Sequence, residues 1–137
     1  MIQPRTTLAS QPHRRLAAAI AELHRSLLNA QAAGSPVASN PYALLQAVMH
    51  DPAFLWLRRL SDLILAIDEA GAKGATPSPQ AMQGFLSRAT AMVLEEGGEE
   101  EAETRQRIGG FLLRPDVAAA HARLRELLAE LRGQRPH

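Results

Sequence analysis

The densest set of chemically capable side chains lies between positions 50 and 62: His50, Asp51, Trp56, Arg58, Ser61 and Asp62. An imidazole exchanges a proton near neutral pH, a guanidinium forks onto an anion, and a carboxylate or hydroxyl can orient what the guanidinium holds. His50, Arg58, Ser61 and Asp62 are therefore the candidate ligand-binding residues, at the mouth of a bend expected where Pro52 disfavours helical geometry at residue 51. Simpler roles compete for several residues of the set. Asp51 precedes a proline and fits a helix cap, and Trp56 falls in an apolar arc. Arg58 and Asp62 stand four apart, the spacing of a helical ion pair worth about 0.3–0.5 kcal/mol. Helical phase also turns Arg58 and Asp62 away from Trp56, so a single cavity within this helix cannot collect them all.

The remaining titratable groups point more weakly to chemistry. Ser61 and Asp68, one heptad step apart, border the apolar arc; a carboxylate half-buried there would need an arginine partner and would serve to fix helix register. His24 and His121 stand on or beside the apolar faces of the first and last long helices. Neither belongs to an H-x-x-x-H or E-x-x-H pattern, so core-edge histidines are expected and no metal ligand set is assigned. Six acids fall between Glu95 and Glu103 around Gly97-Gly98. The run lacks the alternating Asp/Asn spacing and fixed glycine of a calcium loop and reads as a solvated helix start favoured by the helix dipole. No P-loop, G-x-G-x-x-G, G-x-S-x-G or Ser/His/Asp pattern of known spacing is present, so no catalytic residue and no cofactor is implied.

Composition bounds what can position these groups. Twenty-five alanines and 20 leucines in 137 residues, with aromatics at 4%, favour helix over sheet. The length suits one domain. A formal net charge of +1 supplies no global field for nucleic acid or an acidic membrane. Seven arginines against three acids from Thr104 onward leave the C-terminal stretch basic, but without interleaved aromatics a nucleic-acid role has little to rest on. The absence of cysteine excludes disulfides and thiolate chemistry. The first ten residues hold no apolar core of signal-peptide length, and no window of about 18 residues is apolar throughout, which points to the cytoplasm and away from a membrane.

Proline and glycine punctuate the chain as helices require, with a capping residue and Pro at the start and Gly past the end. Starts are signalled at Ser10 to Pro12, Asn40-Pro41, Asp51-Pro52, Ser78-Pro79 and Pro115-Asp116; stops at Gly34, Gly71, Gly97-Gly98 and Gly133. Helices are expected over 11–33, 41–49, 52–70, 79–96, 99–113 and 116–132, the fifth weakened by Gly109-Gly110. In the first, Leu16, Ile20, Leu23, Leu27 and Ala30 form a bundle-type seam, and Ala17, Ala18, Ala19 and Ala21 leave room for a close neighbour. The third is the most apolar, with Trp56, Leu57, Leu60, Leu63, Ile64 and Ile67 in one arc, and is expected to be central. Leu55 and Leu65 lie off that arc and need a second cover, another helix or another subunit. The reading is an all-α, up-and-down bundle of four long helices with one or two short ones over 11–133, flanked by tails 1–10 and 134–137.

The stretch from His50 to Ile64, HDPAFLWLRRLSDLI, continuing to Ile67-Asp68-Glu69, resembles a run found in small all-helical bacterial proteins that carry no assigned activity. Weaker echoes are Leu23-His24, Pro115-Asp116-Val117 and Ala120-His121-Ala122. The resemblance implies a bacterial source and a helical bundle, and brings no catalytic residue with it. The function expected on all these grounds is a non-enzymatic interaction or scaffold protein that self-associates as a homodimer. A small-ligand binder or enzyme working through residues 50–62 is the rival.

Overall fold

The computed structural model describes residues 11–33, 39–94 and 101–133. Every regular element among them is helical: α1 (Pro12–Ala32), α2 (Pro41–His50), α3 (Pro52–Leu55), α4 (Arg58–Ala70), α5 (Pro79–Val93), α6 (Ala102–Gly109) and α7 (Pro115–Gly133), with a 3-10 turn at Ala72–Gly74. Among the described residues no helix is long and apolar enough to cross a membrane. The start at Ser10, the stops at Gly34 and Gly97-Gly98, and the two tails lie outside the described residues.

The starts follow the capping chemistry. Asn40 Oδ1 accepts from the amides of Tyr42 and Ala43, both at 3.1 Å. Asp51 Oδ1 accepts from Ala53 at 2.9 Å, and Ser78 Oγ from Ala81 at 3.0 Å. Each side chain satisfies a first-turn donor that has no intrahelical acceptor. Pro occupies the first helical position of α1, α2, α3, α5 and α7, where its missing N–H costs nothing.

The expected helix over 52–70 is broken. Trp56 Nε1 donates to the Ala53 carbonyl at 3.0 Å, the acceptor an α-helix would reserve for the Leu57 amide. Leu57 N bonds Phe54 O instead, at 3.1 Å, and residues 56–57 form a tightened turn between α3 and α4. Both residues keep right-handed helical torsions, so Trp56, Leu57, Leu60, Leu63 and Ile67 still point into the core.

The centre is α1, not the 52–70 segment. It packs against α7 along most of its length, against α4 on another side and against α3. Leu16, Ile20, Leu23 and Leu27 are wholly buried, each side chain worth about 1.5–3 kcal/mol of transfer free energy. Alanine between these leucines is what lets two neighbours approach at once. On the far side α5 contacts α4, α6 and α7, closing a single core that adds Phe85, Leu86, Met92, Ile108, Val117, Leu124 and Leu128. The expected helix over 99–113 is shorter: α6 ends at Gly109-Gly110, and Phe111 to Arg114 run on as turns.

Candidate functional site

The bend between α2 and α3 carries the residues singled out from the sequence, and each is held by a local structural bond or faces water. His50 ends α2 and is exposed. Asp51 caps α3. Arg58 does not pair with Asp62; its Nη2 reaches back 3.3 Å to the Met49 carbonyl, one of the last-turn acceptors of α2. A cation there also complements the negative end of the helix dipole, which outweighs a solvated i, i+4 pair. Ser61 Oγ donates to Arg58 O at 3.1 Å within its own helix, and Asp62 is exposed. His50, Arg58, Ser61 and Asp62 thus share a neighbourhood in which the Arg58–Met49 hydrogen bond fastens α4 to α2.

Asp68 is exposed rather than half-buried, so it needs no arginine partner. His24 is half-buried, and burial holds its imidazole pKa below the ordinary value. His121 Nε2 donates to the Val93 carbonyl at 3.3 Å; its pKa too is lowered, first by burial, with the Val93 bond opposing. Among the described residues no three His, Asp or Glu side chains converge as metal ligands. Of the acidic run, Glu101 lies 3.8 Å from Arg59 and Glu103 3.6 Å from Arg107, while positions 95–100 lie outside the described residues.

The histidine that sequence reasoning passed over is the most buried. His13, in the first turn of α1, is 2% exposed, and its Nε2 has no hydrogen-bond partner among the described residues. Burial lowers its pKa, the Arg14 charge adds to that, and Asp68 opposes. The ring packs on Gly71, which ends α4.

A groove of about 410 Å³ opens elsewhere, between α1 and α7. Ala18, Ala19 and Leu127 form its apolar lining, Glu126 flanks it, and an ion pair closes each end. Arg15 forks onto Glu130, Nη1 to Oε2 at 2.8 Å and Nη2 to Oε1 at 2.9 Å. Arg123 forks onto Glu22, with Nε to Oε1 at 3.0 Å and Nη2 on Oε2. The hydrogen bond from Arg123 holds the Glu22 carboxyl below the usual carboxylate pKa. Because the start of α1 pairs with the end of α7, the two helices are antiparallel. They also carry one pattern: His13-x-Arg15-Leu16-x-x-x-Ile20-Ala21-Glu22-Leu23, and His121-x-Arg123-Leu124-x-x-x-Leu128-Ala129-Glu130-Leu131. Two antiparallel copies of such a pattern set each arginine opposite the other helix's glutamate, two helical turns apart. The histidines obey the same local two-fold: His13 sits on the end of α4, which packs on α1, and His121 on the end of α5, which packs on α7.

The surface also keeps apolar side chains uncovered. α2 buries no residue fully, and Tyr42, Leu45 and Met49 stand 72%, 54% and 47% exposed at i, i+3 and i+7, one side of the helix. Leu44, Ala47 and Val48 turn to the core. Leu55 and Leu65, the two residues off the main arc, are likewise exposed. No family model, curated protein or solved structure matches the chain.

Proposed function

We propose that the chain is a non-enzymatic, cytoplasmic interaction or scaffold protein. In this reading α1, α4, α5 and α7 are the long members of an up-and-down bundle, and α2 is the docking face. The observation that carries it is the exposed stripe Tyr42, Leu45 and Met49 on a helix with no Asp, Glu, Lys or Arg between Pro41 and His50. Large apolar side chains at helical spacing, kept in water by a chain that had Leu44 and Val48 available to bury, mark a surface meant to be covered. A partner segment offering apolar side chains from a helix of its own fits the stripe, and no charge has to be matched. Ten residues span only about 15 Å, so the contact is small and transient. Antiparallel packing across α1/α4, α1/α7 and α5/α7 supports the bundle.

The test places a photo-crosslinking residue at the exposed Gln46 of the protein expressed in its native cells. Discrete adducts that disappear on Leu45→Glu or Met49→Glu are expected, with the circular dichroism of both variants unchanged. No adduct, or adducts indifferent to both charges, removes α2 as the docking face.

A further inference from the structure

We infer that a second copy of the chain seats its α1/α7 groove on that of the first, about a two-fold axis running parallel to these helices. The inference deepens the interaction reading by naming a self-association surface, and it does not use the α2 stripe.

Charge is what selects the occupant. Arg15 and Glu130 stand at one end of the groove, Glu22 and Arg123 at the other, so positive and negative groups alternate around its four corners. A surface of this kind is complementary to itself. Turned face to face about an axis along the helices, each guanidinium of one copy meets the second copy's carboxylate: Arg15 meets Glu130, and Arg123 meets Glu22. An axis across the helices also opposes unlike corners, but it brings Glu126 onto the second copy's Glu126. A diagonal axis opposes like charges at every corner and is disfavoured. Only the axis along the helices sets Glu126 over Ala18 and Ala19, where the groove leaves room for it. In that arrangement α1 of one copy runs antiparallel to α7 of the next, extending within the dimer the pairing already made within the chain.

Area agrees with the choice. The 21 residues of α1 extend over about 30 Å, and two helices some 10 Å apart give a face of roughly 600 Å² per copy. About 1,200 Å² for the pair is the lower end of specific interfaces; α2 alone offers a fraction of that. The dimer is therefore weak and salt-sensitive, since its corner charges are partly solvated. It leaves α2 uncovered on both copies and so presents two docking faces.

The chain has no cysteine, which makes the test direct. Mild oxidation of an equimolar mixture of Ala18→Cys and Glu126→Cys chains is expected to yield a covalent dimer several-fold above either variant alone. Sedimentation velocity of the unmodified chain is expected to show a concentration-dependent dimer. Ala18→Glu, which sets a carboxylate against Glu126, raises the dissociation constant about tenfold with unchanged circular dichroism; Leu45→Glu leaves it unaltered. A strict monomer at high micromolar concentration, cross-linking of Glu126→Cys with itself, or an unaffected Ala18→Glu dimer overturns the inference. A dimer lost with Leu45→Glu but kept with Ala18→Glu does so too, while leaving α2 as an interaction surface.

Discussion

His13 occupies the space that a side chain at position 71 would need: a Cβ on Gly71 would fall 2.7 Å from His13 Nε2 and 2.8 Å from Cδ2. Gly71 has φ −102°, a torsion any residue adopts, so glycine is required here for room and not for backbone freedom. The His13 ring is itself enclosed and cannot swing aside cheaply. Gly71→Ala is expected to destabilise the fold by about 1–3 kcal/mol, the usual cost of overpacking. His13→Ala in the same chain should recover part of that loss, and a double-mutant cycle by urea denaturation measures the coupling. Additive single effects would mean that the two residues do not compete for one volume.

Acid should loosen this same contact. His13, His24 and His121 all have pKa values lowered in the fold, chiefly by burial, so the native chain binds fewer protons than the unfolded chain below their ordinary value of 6.5. Stability therefore stays full above about pH 6.5, falls as pH drops through 6.5, and levels off only below the folded pKa values. The slope is at most about 1.4 kcal/mol per pH unit for each histidine. Thermal melts at pH 8.5, 7.5, 6.5, 5.5 and 5.0 should show Tm flat across the first step, starting to fall by pH 6.5 and declining most steeply below it. His13→Gln, which cannot be charged, should flatten the decline; an unchanged slope would assign the acid sensitivity to other groups.

The sequence made the helices legible because their starts are chemical events on single residues: Asn40, Asp51 and Ser78 cap as their positions before proline require. The apolar seam of α1 was legible for the same local reason. What periodicity could not show is competition for an acceptor. The indole of Trp56 takes the Ala53 carbonyl and splits one helix into two without changing which residues are buried. Centrality also stayed hidden, because it depends on how thin a helix is as much as on how greasy, and α1 is thin. The reciprocal arginine–glutamate pairs were visible only by laying α1 against α7. His13 gave no signal, since its burial depends on a glycine 58 positions away in the chain.

At the bend, Arg58 and Asp62 separate by role. Arg58→Gln should weaken the α2 C-terminus through loss of the bond to Met49 O, seen as faster amide exchange across residues 47–51. Asp62→Asn should change global stability by less than about 0.5 kcal/mol, because the side chain is exposed. Titration with inorganic phosphate, followed by NMR, discriminates the two uses of this surface. A ligand-binding bend would shift the His50 ring, the Arg58 side chain and the Asp62 amide together with saturation, whereas an α2 anchor gives no saturable response.

Trp56 supplies the most sensitive probe of the broken helix. Its ring stacks on Phe111 with centroids 6.2 Å apart and planes 8° from parallel, joining the α3–α4 turn to the segment that precedes α7. Its Nε1 donates at 3.0 Å to Ala53 O, with Gln31 Oε1 at 3.4 Å. As the sole tryptophan and 5% exposed, it should emit at the short wavelengths of a buried indole and shift red on unfolding. Trp56→Ala removes a buried aromatic and should cost about 3–5 kcal/mol. Trp56→Phe keeps the apolar body and loses the indole donor, which frees Ala53 O for the Leu57 amide. It should therefore cost distinctly less than Trp56→Ala and slow amide exchange at Leu57, as the turn relaxes toward one continuous helix. Unaltered exchange at Leu57 would show that the break at 56–57 does not depend on the indole hydrogen bond.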